Sequence, residues 1–456
     1  MIKEATSKPI SLSDDSAERV LPFVDHTVKK YGKKSFMWVG PIPRLNIMEP
    51  EILKEVLSKI DAFHKPLYNP LVKLVVCGLA GYEDDQWAKH RRLLNPAFHL
   101  EKLKLMLPAM ELSCRQMIEK WEKMEGIEGS CELDVWPYLS SLSSDVIART
   151  AFGSSYEEGK RIFQLLAEQT QLTIPVFESV YIPGWRILPT KTNKRLREID
   201  REMQSLFRGI IHKREREMEV GESGIRDLLG MLLEFNLKEI VEHGNNKKAG
   251  ITTQEVIEDC KIFYHAGQET TSILLLWTMV LLSQHQEWQK RARDEVFQVF
   301  GRDEPKFDGL NRLKILTMIL HEVLRLYPSL AVVTRVTVKE TKVGEMTLPA
   351  GVEVRLPIML VHRDRDIWGE DAKEFNPARF SEGVAKAAKT QTPYFPFGWG
   401  PRICIGQNFA LLEAKLAVAM ILQHFSFKLS PSYAHAPVTV LTVQAQHGAH
   451  IILKKL

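Results

Sequence analysis

Ten residues near the C-terminal end, Phe397-Gly398-Trp399-Gly400-Pro401-Arg402-Ile403-Cys404-Ile405-Gly406, narrow the possible folds of this chain more than any other stretch. Spaced glycines, an aromatic and an arginine surround one cysteine, and an apolar, helix-favouring run over residues 409–422 follows. Glycine lacks a Cβ and so lets backbone approach a flat surface closely. The following helix directs its N-terminal amides and dipole at the sulfur, which favours the thiolate. Arg402 adds a permanent cation for an acidic group nearby. The combination suits a thiolate held against a large planar metal cofactor.

Taken alone, a single cysteine is more often a small buried hydrophobe. Zinc is the other metal to weigh, but no CxxC and no second Cys/His pair lies near Cys404. The pattern Phe-x-x-Gly-x-Arg-x-Cys-x-Gly resembles the haem loop of the cytochrome P450 family at every fixed position. The likeness extends over essentially the whole chain. It implies a mainly α fold with a minor β part, in which haem b lies between a long central helix and the Cys loop. Cys404 would be the iron ligand, with Phe397 and Gly406 beside the cofactor. A thiolate on haem iron pushes electron density across the metal and favours O–O cleavage.

At 456 residues the length alone suggests about three domains of ~150 residues. The matched motifs, however, run from Trp87 to Cys404 and must converge on one cofactor, so a single domain over residues 1–456 is expected. The 61 Lys+Arg against 57 Asp+Glu leave a net charge of +4, which gives no sign of nucleic-acid binding. Five cysteines (77, 114, 131, 260, 404) make an odd, widely spaced set that fits a reducing compartment. A membrane span needs ~20 apolar residues, and the longest strongly apolar stretch, residues 273–282, is half that. Eukaryotic members of the family normally carry an N-terminal membrane helix. None begins this sequence, so the expectation is a soluble or peripheral chain whose native form is held by such a helix on the endoplasmic reticulum, facing the cytosol.

Residues 35–49 read as two short strands joined through Pro41 and Pro43. Helical periodicity dominates residues 101–235, with breaks near Pro175, Pro183-Gly184 and Pro189. Residues 243–250 form a polar, glycine-bounded loop. After Pro328 the pattern turns to short strands over 332–338 and 352–357, and 438–443 with 450–453 reads as a terminal pair.

Thr252-Thr253-Gln254-Glu255 is a capping box opening a helix that runs to about Gln284. Its middle holds Ala266-Gly267-Gln268-Glu269-Thr270-Thr271. A glycine there costs about 1 kcal/mol against alanine, and paired threonines add β-branched strain. Either Gly267 permits a close helix contact, or the ladder opens locally so that hydroxyl and water meet a ligand. The segment matches the family's (Ala/Gly)-Gly-x-(Asp/Glu)-Thr-(Thr/Ser) motif. The resemblance implies Ala266 and Gly267 over the distal cofactor face, Thr270 hydrogen-bonding to oxygen, and Glu269 relaying protons from solvent.

Glu322 and Arg325 are three apart, an arrangement worth a few tenths of a kcal/mol on a helix surface. Flanking leucines and Pro328 argue for burial instead, where further hydrogen bonds are needed, with Arg379 as the third partner. The resemblance matches these to the family's Glu-x-x-Arg and Pro-x-Arg-Phe motifs; Ala378 departs from the glutamate of many members. Trp87 and Arg91 share one helix face, and an indole N–H with a guanidinium suits carboxylates. By themselves they would more often be an amphipathic surface. The resemblance assigns them, with Arg335 and Arg402, to the haem propionates. The run Lys89, His90, Arg91, Arg92 is also a candidate cationic patch for an acidic reductase.

Residues 91–99, 264–271 and 368–372 resemble plant members, nearest the secologanin synthase-like subfamily, in a clan with triterpenoid oxidases and gibberellin- or brassinosteroid-inactivating enzymes. The implied activity is a monooxygenase that uses O2 and electrons from NADPH, delivered by NADPH–cytochrome P450 reductase. It would hydroxylate or oxidatively cleave a small, mostly apolar terpenoid, acting as a monomer. A hormone-inactivating hydroxylase is the alternative within that class. An O2-independent hydroperoxide-rearranging haem enzyme is disfavoured by the intact Glu269 and Thr270; a non-catalytic haem sensor is the rival outside enzymes. Family-equivalent pocket regions are 66–79, 263–266, 330–334 and 441–443. Phe263, Leu330, Val332 and Val333 are apolar there, beside Thr442. His265 either orients a carboxylate or hydroxyl of the substrate or is a satisfied core histidine.

Overall fold

The structure, a computed structural model, describes residues 2–66, 69–124, 126, 129–177, 184, 187–220, 227–388 and 394–456. Its contacts gather the chain into two compact units. One contains Met1–Pro66, Cys114–Ser140 and Thr270–Leu456; the other contains Leu67–Ser113 and Ser141–Glu269.

All the described strands belong to the first unit: β1 (Lys34–Val39), β2 (Ile42–Ile47), β3 (Phe63–His64), β4 (Ser130–Asp134), β5 (Val333–Thr337), β6 (Thr341–Val343), β7 (Met346–Leu348), β8 (Glu353–Leu356), β9 (Phe425–Leu429), β10 (Pro437–Val440), β11 (Thr442–Ala445) and β12 (His450–Lys455). The largest sheet has the order β1-β2-β8-β5-β3. Pro43 is tolerated on β2 because parallel pairing with β8 begins one residue later, at Arg44↔Glu353. Arg335 sits on β5 opposite Val354 of β8, so sheet register places its side chain.

The terminal strand pair expected from the sequence does not form. Residues 438–443 are divided at Leu441, whose φ of +67° turns β10 back onto β11. β12 pairs instead with both β9 and β4. β4 itself lies inside the stretch read as helical. Five residues of ordinary composition become a strand there because distant partners complete the ladder.

Helices fill the rest of this unit. Gln407–His424 is buried on all sides, through Leu412, Ala414, Leu416, Ala417, Val418, Ile421 and Leu422. A helix apolar all round belongs in a core. It packs with Gln286–Phe300 and Lys314–Leu326. The apolar run 273–282 is likewise core, every residue buried, in the second half of the helix Thr253–Gln284. Among the described residues, no helix is long and apolar enough to cross a membrane.

The second unit is helical: Asp84–Leu94, Tyr156–Phe177, Lys191–Glu219, Leu228–Glu242 and the first half of Thr253–Gln284. Tyr264 anchors it, stacked on Phe152 at 4.2 Å and edge-on to Phe163 and Phe207. The capping box forms as expected: Thr252 N donates to Glu255 Oε2 at 2.8 Å, and Glu255 N to Thr252 Oγ1 at 3.2 Å. The chain stays helical through Pro175 to Phe177 rather than breaking there. Pro183 lies outside the described residues; after Pro189 a new helix starts, capped by Thr190. Residues 243–250 are turns, as expected.

Candidate active site

In the first unit the Cys404 loop is a hydrogen-bonded coil ending at a helix. Gly398 N donates to Phe395 O at 2.9 Å, Ile403 N to Gly400 O at 3.1 Å, and Cys404 N to Phe397 O at 2.8 Å. Gly398 and Gly400 have φ of +78° and +70°, and a Cβ on Gly400 would lie 2.8 Å from the Leu57 carbonyl oxygen. Gly406 is the N-cap of Gln407–His424, two residues past the sulfur. Of the five cysteines Cys404 alone is exposed. Burial pushes the Cys77 thiol up to about 12 and the Cys260 thiol well above its usual range, so neither supplies a ready thiolate. Arg402 and Arg335, both half-buried, belong to the same unit. An exposed sulfur in a glycine-tight loop before a helix N-terminus, with guanidinium groups in the same unit, is a donor set that fits haem.

Behind the loop lies a buried ion-pair lock. Glu322 and Arg325 are both 0% exposed and meet through two bonds of 2.7 and 2.8 Å. Arg379 Nε reaches Glu322 Oε1 at 3.2 Å, and Asn376 N donates to the same oxygen at 2.8 Å. Arg325 Nη1 also donates to the carbonyls of His362 and Ala372, and Nη2 to that of Glu374. These extra acceptors offset the desolvation that a buried pair suffers.

Thr270 is tied to the same unit through its backbone. Ser329 Oγ donates to the Thr270 carbonyl at 3.0 Å, Val443 N to the Ser329 carbonyl at 3.1 Å, and Trp277 Nε1 to the Val443 carbonyl at 2.7 Å. The long helix, the segment leading into β5 and the β10–β11 hairpin are thereby fastened together. Leu330 (39% exposed), half-buried Val332 and Val333, and buried Thr442 ride on these pieces. Ser329 and Trp277 were not legible as site-forming residues in the sequence, since neither belongs to a motif.

In the second unit Trp87 is buried and Arg91 half-buried on the helix Asp84–Leu94. The basic run beside them makes bonds within the chain. His90 is wholly buried with Nδ1 2.6 Å from Asp259 Oδ2, Arg92 grips Glu239 through bonds of 2.7 and 2.8 Å, and Lys89 donates to the Lys248 and Gly250 carbonyls. Arg92 is thereby paired with a carboxylate, while Lys89 meets only backbone carbonyls. Asp259 also accepts from Leu79 N at 2.7 Å, and burial raises its pKa. Gly267 proves to be a point of close helix approach: a Cβ there would lie 2.7 Å from Ile147 Cδ1. Ala266 is exposed and Glu269 half-buried. Phe263 is buried against Phe98. His265 is half-buried, its Nε2 buried without a hydrogen-bond partner, and burial lowers the ring's pKa against the opposing pull of Glu269. Of the pocket region 66–79, Leu67 and Tyr68 lie outside the described residues.

The family model described as Cytochrome P450 matches residues 15–445. The chain is 62% identical to Cytochrome P450 72A397 of Kalopanax septemlobus, over all of this chain and 88% of the relative. It is 57% identical to 11-oxo-beta-amyrin 30-oxidase of Glycyrrhiza uralensis and 53% identical to secologanin synthase 2 of Catharanthus roseus, in each case over all of this chain and 87% of the relative. A solved structure described as retinoic acid bound cyanobacterial CYP120A1 shares the fold, with TM-score 0.81 and 22% identity over 97% of this chain and 96% of that one. A match spanning nearly the whole chain, around a loop built to present one sulfur, decides the matter: this chain belongs to the cytochrome P450 family.

Proposed function

We propose that this chain hydroxylates, or oxidatively cleaves, a mostly apolar plant terpenoid of triterpenoid or secoiridoid type. As a family member it is a monooxygenase with haem as cofactor, and electrons come from NADPH through a reductase. The substrate class rests on one observation, the 57% and 53% identity to 11-oxo-beta-amyrin 30-oxidase and secologanin synthase 2. Apolar Phe263, Val332 and Val333 support it, since pockets for hydrocarbon skeletons are lined mainly by such side chains.

When bound, haem supplies the oxidising chemistry; the chain's residues position and protect it. The Cys404 thiolate would hold the iron, with Phe397 and Gly406 packed beside it. Trp87, Arg91, Arg335 and Arg402 would bind the two propionates. Ala266 would keep side-chain bulk off the long helix where oxygen and substrate must fit, and Gly267 would lie beside it, its missing side chain leaving room for Ile147. Thr270 would hold a proton donor near the oxygen, and half-buried Glu269 would resupply protons from solvent. His265 would orient a carboxylate or hydroxyl of the substrate. NADPH–cytochrome P450 reductase would be the partner of a monomer on the cytosolic face of the endoplasmic reticulum.

The test is turnover by the full-length protein with a plant reductase and NADPH. Pentacyclic triterpenoids and iridoid glycosides are offered together and products read by mass spectrometry. An oxidised product from either class is expected, one oxygen heavier for hydroxylation or two hydrogens lighter for cleavage with loss of water. No oxidation of either, in protein that retains its haem spectrum, would sink the substrate assignment.

A further inference from the structure

We propose that His362 is a positioning residue for the Cys404 loop: its neutral imidazole accepts the Phe395 amide and thereby sets where the sulfur sits. The inference rests on the reading of Cys404 as the haem ligand. His362 is fully buried, and Phe395 N donates to its Nε2 at 3.1 Å. A ring nitrogen can accept only while it carries no proton, so the neutral tautomer with hydrogen on Nδ1 is required. That hydrogen lies among the backbone carbonyls of Leu324 and Arg325 without closing a full hydrogen bond to either.

From the ring, bonds run through the loop to the sulfur-bearing residue. Phe395 O accepts from Gly398 N at 2.9 Å, and Phe397 O from Cys404 N at 2.8 Å. The ring is stacked on Tyr394 (5.4 Å, 24°) and edge-on to Phe395 (5.3 Å) and Trp368 (6.1 Å), so it has little freedom to swing. The same residue's carbonyl takes Arg325 Nη1 at 2.6 Å. His362 therefore joins the Glu322–Arg325–Arg379 lock to the Cys loop, two features that sequence motifs treat as separate. Burial and the Arg325 charge hold its pKa down to about 3, so the acceptor persists at any working pH. Outer partners of this kind orient a metal's ligands, and their loss commonly costs ten-fold or more in affinity.

The experiment compares haem-loaded wild type, His362→Leu, His362→Gln and Cys404→Ser. The readouts are far-UV circular dichroism, the reduced carbon monoxide spectrum and the rate of haem transfer to apomyoglobin. The leucine variant should keep its helical signal while losing part of the red-shifted thiolate band and releasing haem about ten-fold faster. Glutamine, whose side-chain oxygen can accept the same N–H, should restore both. Should the leucine variant fail to fold, His362→Asn replaces it, since its shorter side chain falls short of the amide. Wild-type band and haem release in the variant without the acceptor would overturn the proposal, as would equal behaviour of that variant and glutamine. Cys404→Ser separates the two readings: if it kept the thiolate band, the ligand assignment itself would fall.

Discussion

At the scale of single residues, environment distinguishes groups that look alike in the sequence. Cys404 is exposed before a helix N-terminus, whereas Cys77 and Cys260 are buried thiols with raised pKa values. His90, His265 and His362 differ as sharply: one is clamped by Asp259, one has a buried free nitrogen, and one accepts a backbone amide. Thr270→Ala should bind haem normally yet release more peroxide. Product per NADPH consumed should fall on the order of ten-fold, because water replaces only part of what a positioned proton donor contributes. Unchanged coupling in that variant would remove Thr270 from proton delivery. Cys404 and Thr270 could be found in the sequence because the chemistry is written in contiguous residues. Ser329 and His362 could not, because their partners lie 59 and 33 residues away.

At the scale of elements, the Cys loop is shaped by two glycines in different situations. Gly400→Ala would combine an unfavourable φ with a collision against the Leu57 carbonyl, whereas the nearest atom to a Cβ on Gly398 is 3.8 Å away. The expected destabilisation is about 3 kcal/mol for Gly400→Ala and about 1 kcal/mol for Gly398→Ala, spanning the usual cost of strained backbone. Thermal unfolding of the two variants checks the order, and an equal effect would mean that the Leu57 contact is unimportant. The long helix was legible to its ends, since a capping box and sustained periodicity are local signals. The β10–β11 hairpin was not: a leucine at φ +67° gives no turn signal, and only packing holds it there.

For the whole molecule, the buried lock and buried histidines set stability. Glu322→Ala strands the Arg325 charge in the core, while Arg379 keeps Asp371, and should cost about 3–5 kcal/mol, seen as loss of soluble haem-bound protein or a large drop in the unfolding midpoint. Burial holds His321 and His435 down to about 4 and His362 to about 3, below the ordinary 6.5; Lys415, Arg363 and Arg325 respectively push the same way. Each is neutral when folded and protonates more readily when unfolded, so the unfolded chain binds more protons below pH 6.5. Stability should be full above about pH 6.5 and decline as pH falls towards 4, with a shallower decline in His435→Gln. A denaturation midpoint flat between pH 7 and 5 would contradict this. The order of residues already specified the helical class, the long helix, the sulfur loop and the partners of the ion-pair lock, because each is encoded by neighbours a turn or two apart or by a motif. Tertiary structure alone decided that β4 is a strand, that β12 chooses β9 and β4, that Lys89, His90 and Arg92 find partners within the chain, and that His362 holds the loop. Those outcomes depend on which distant groups meet and lose water together, and no local pattern carries that information.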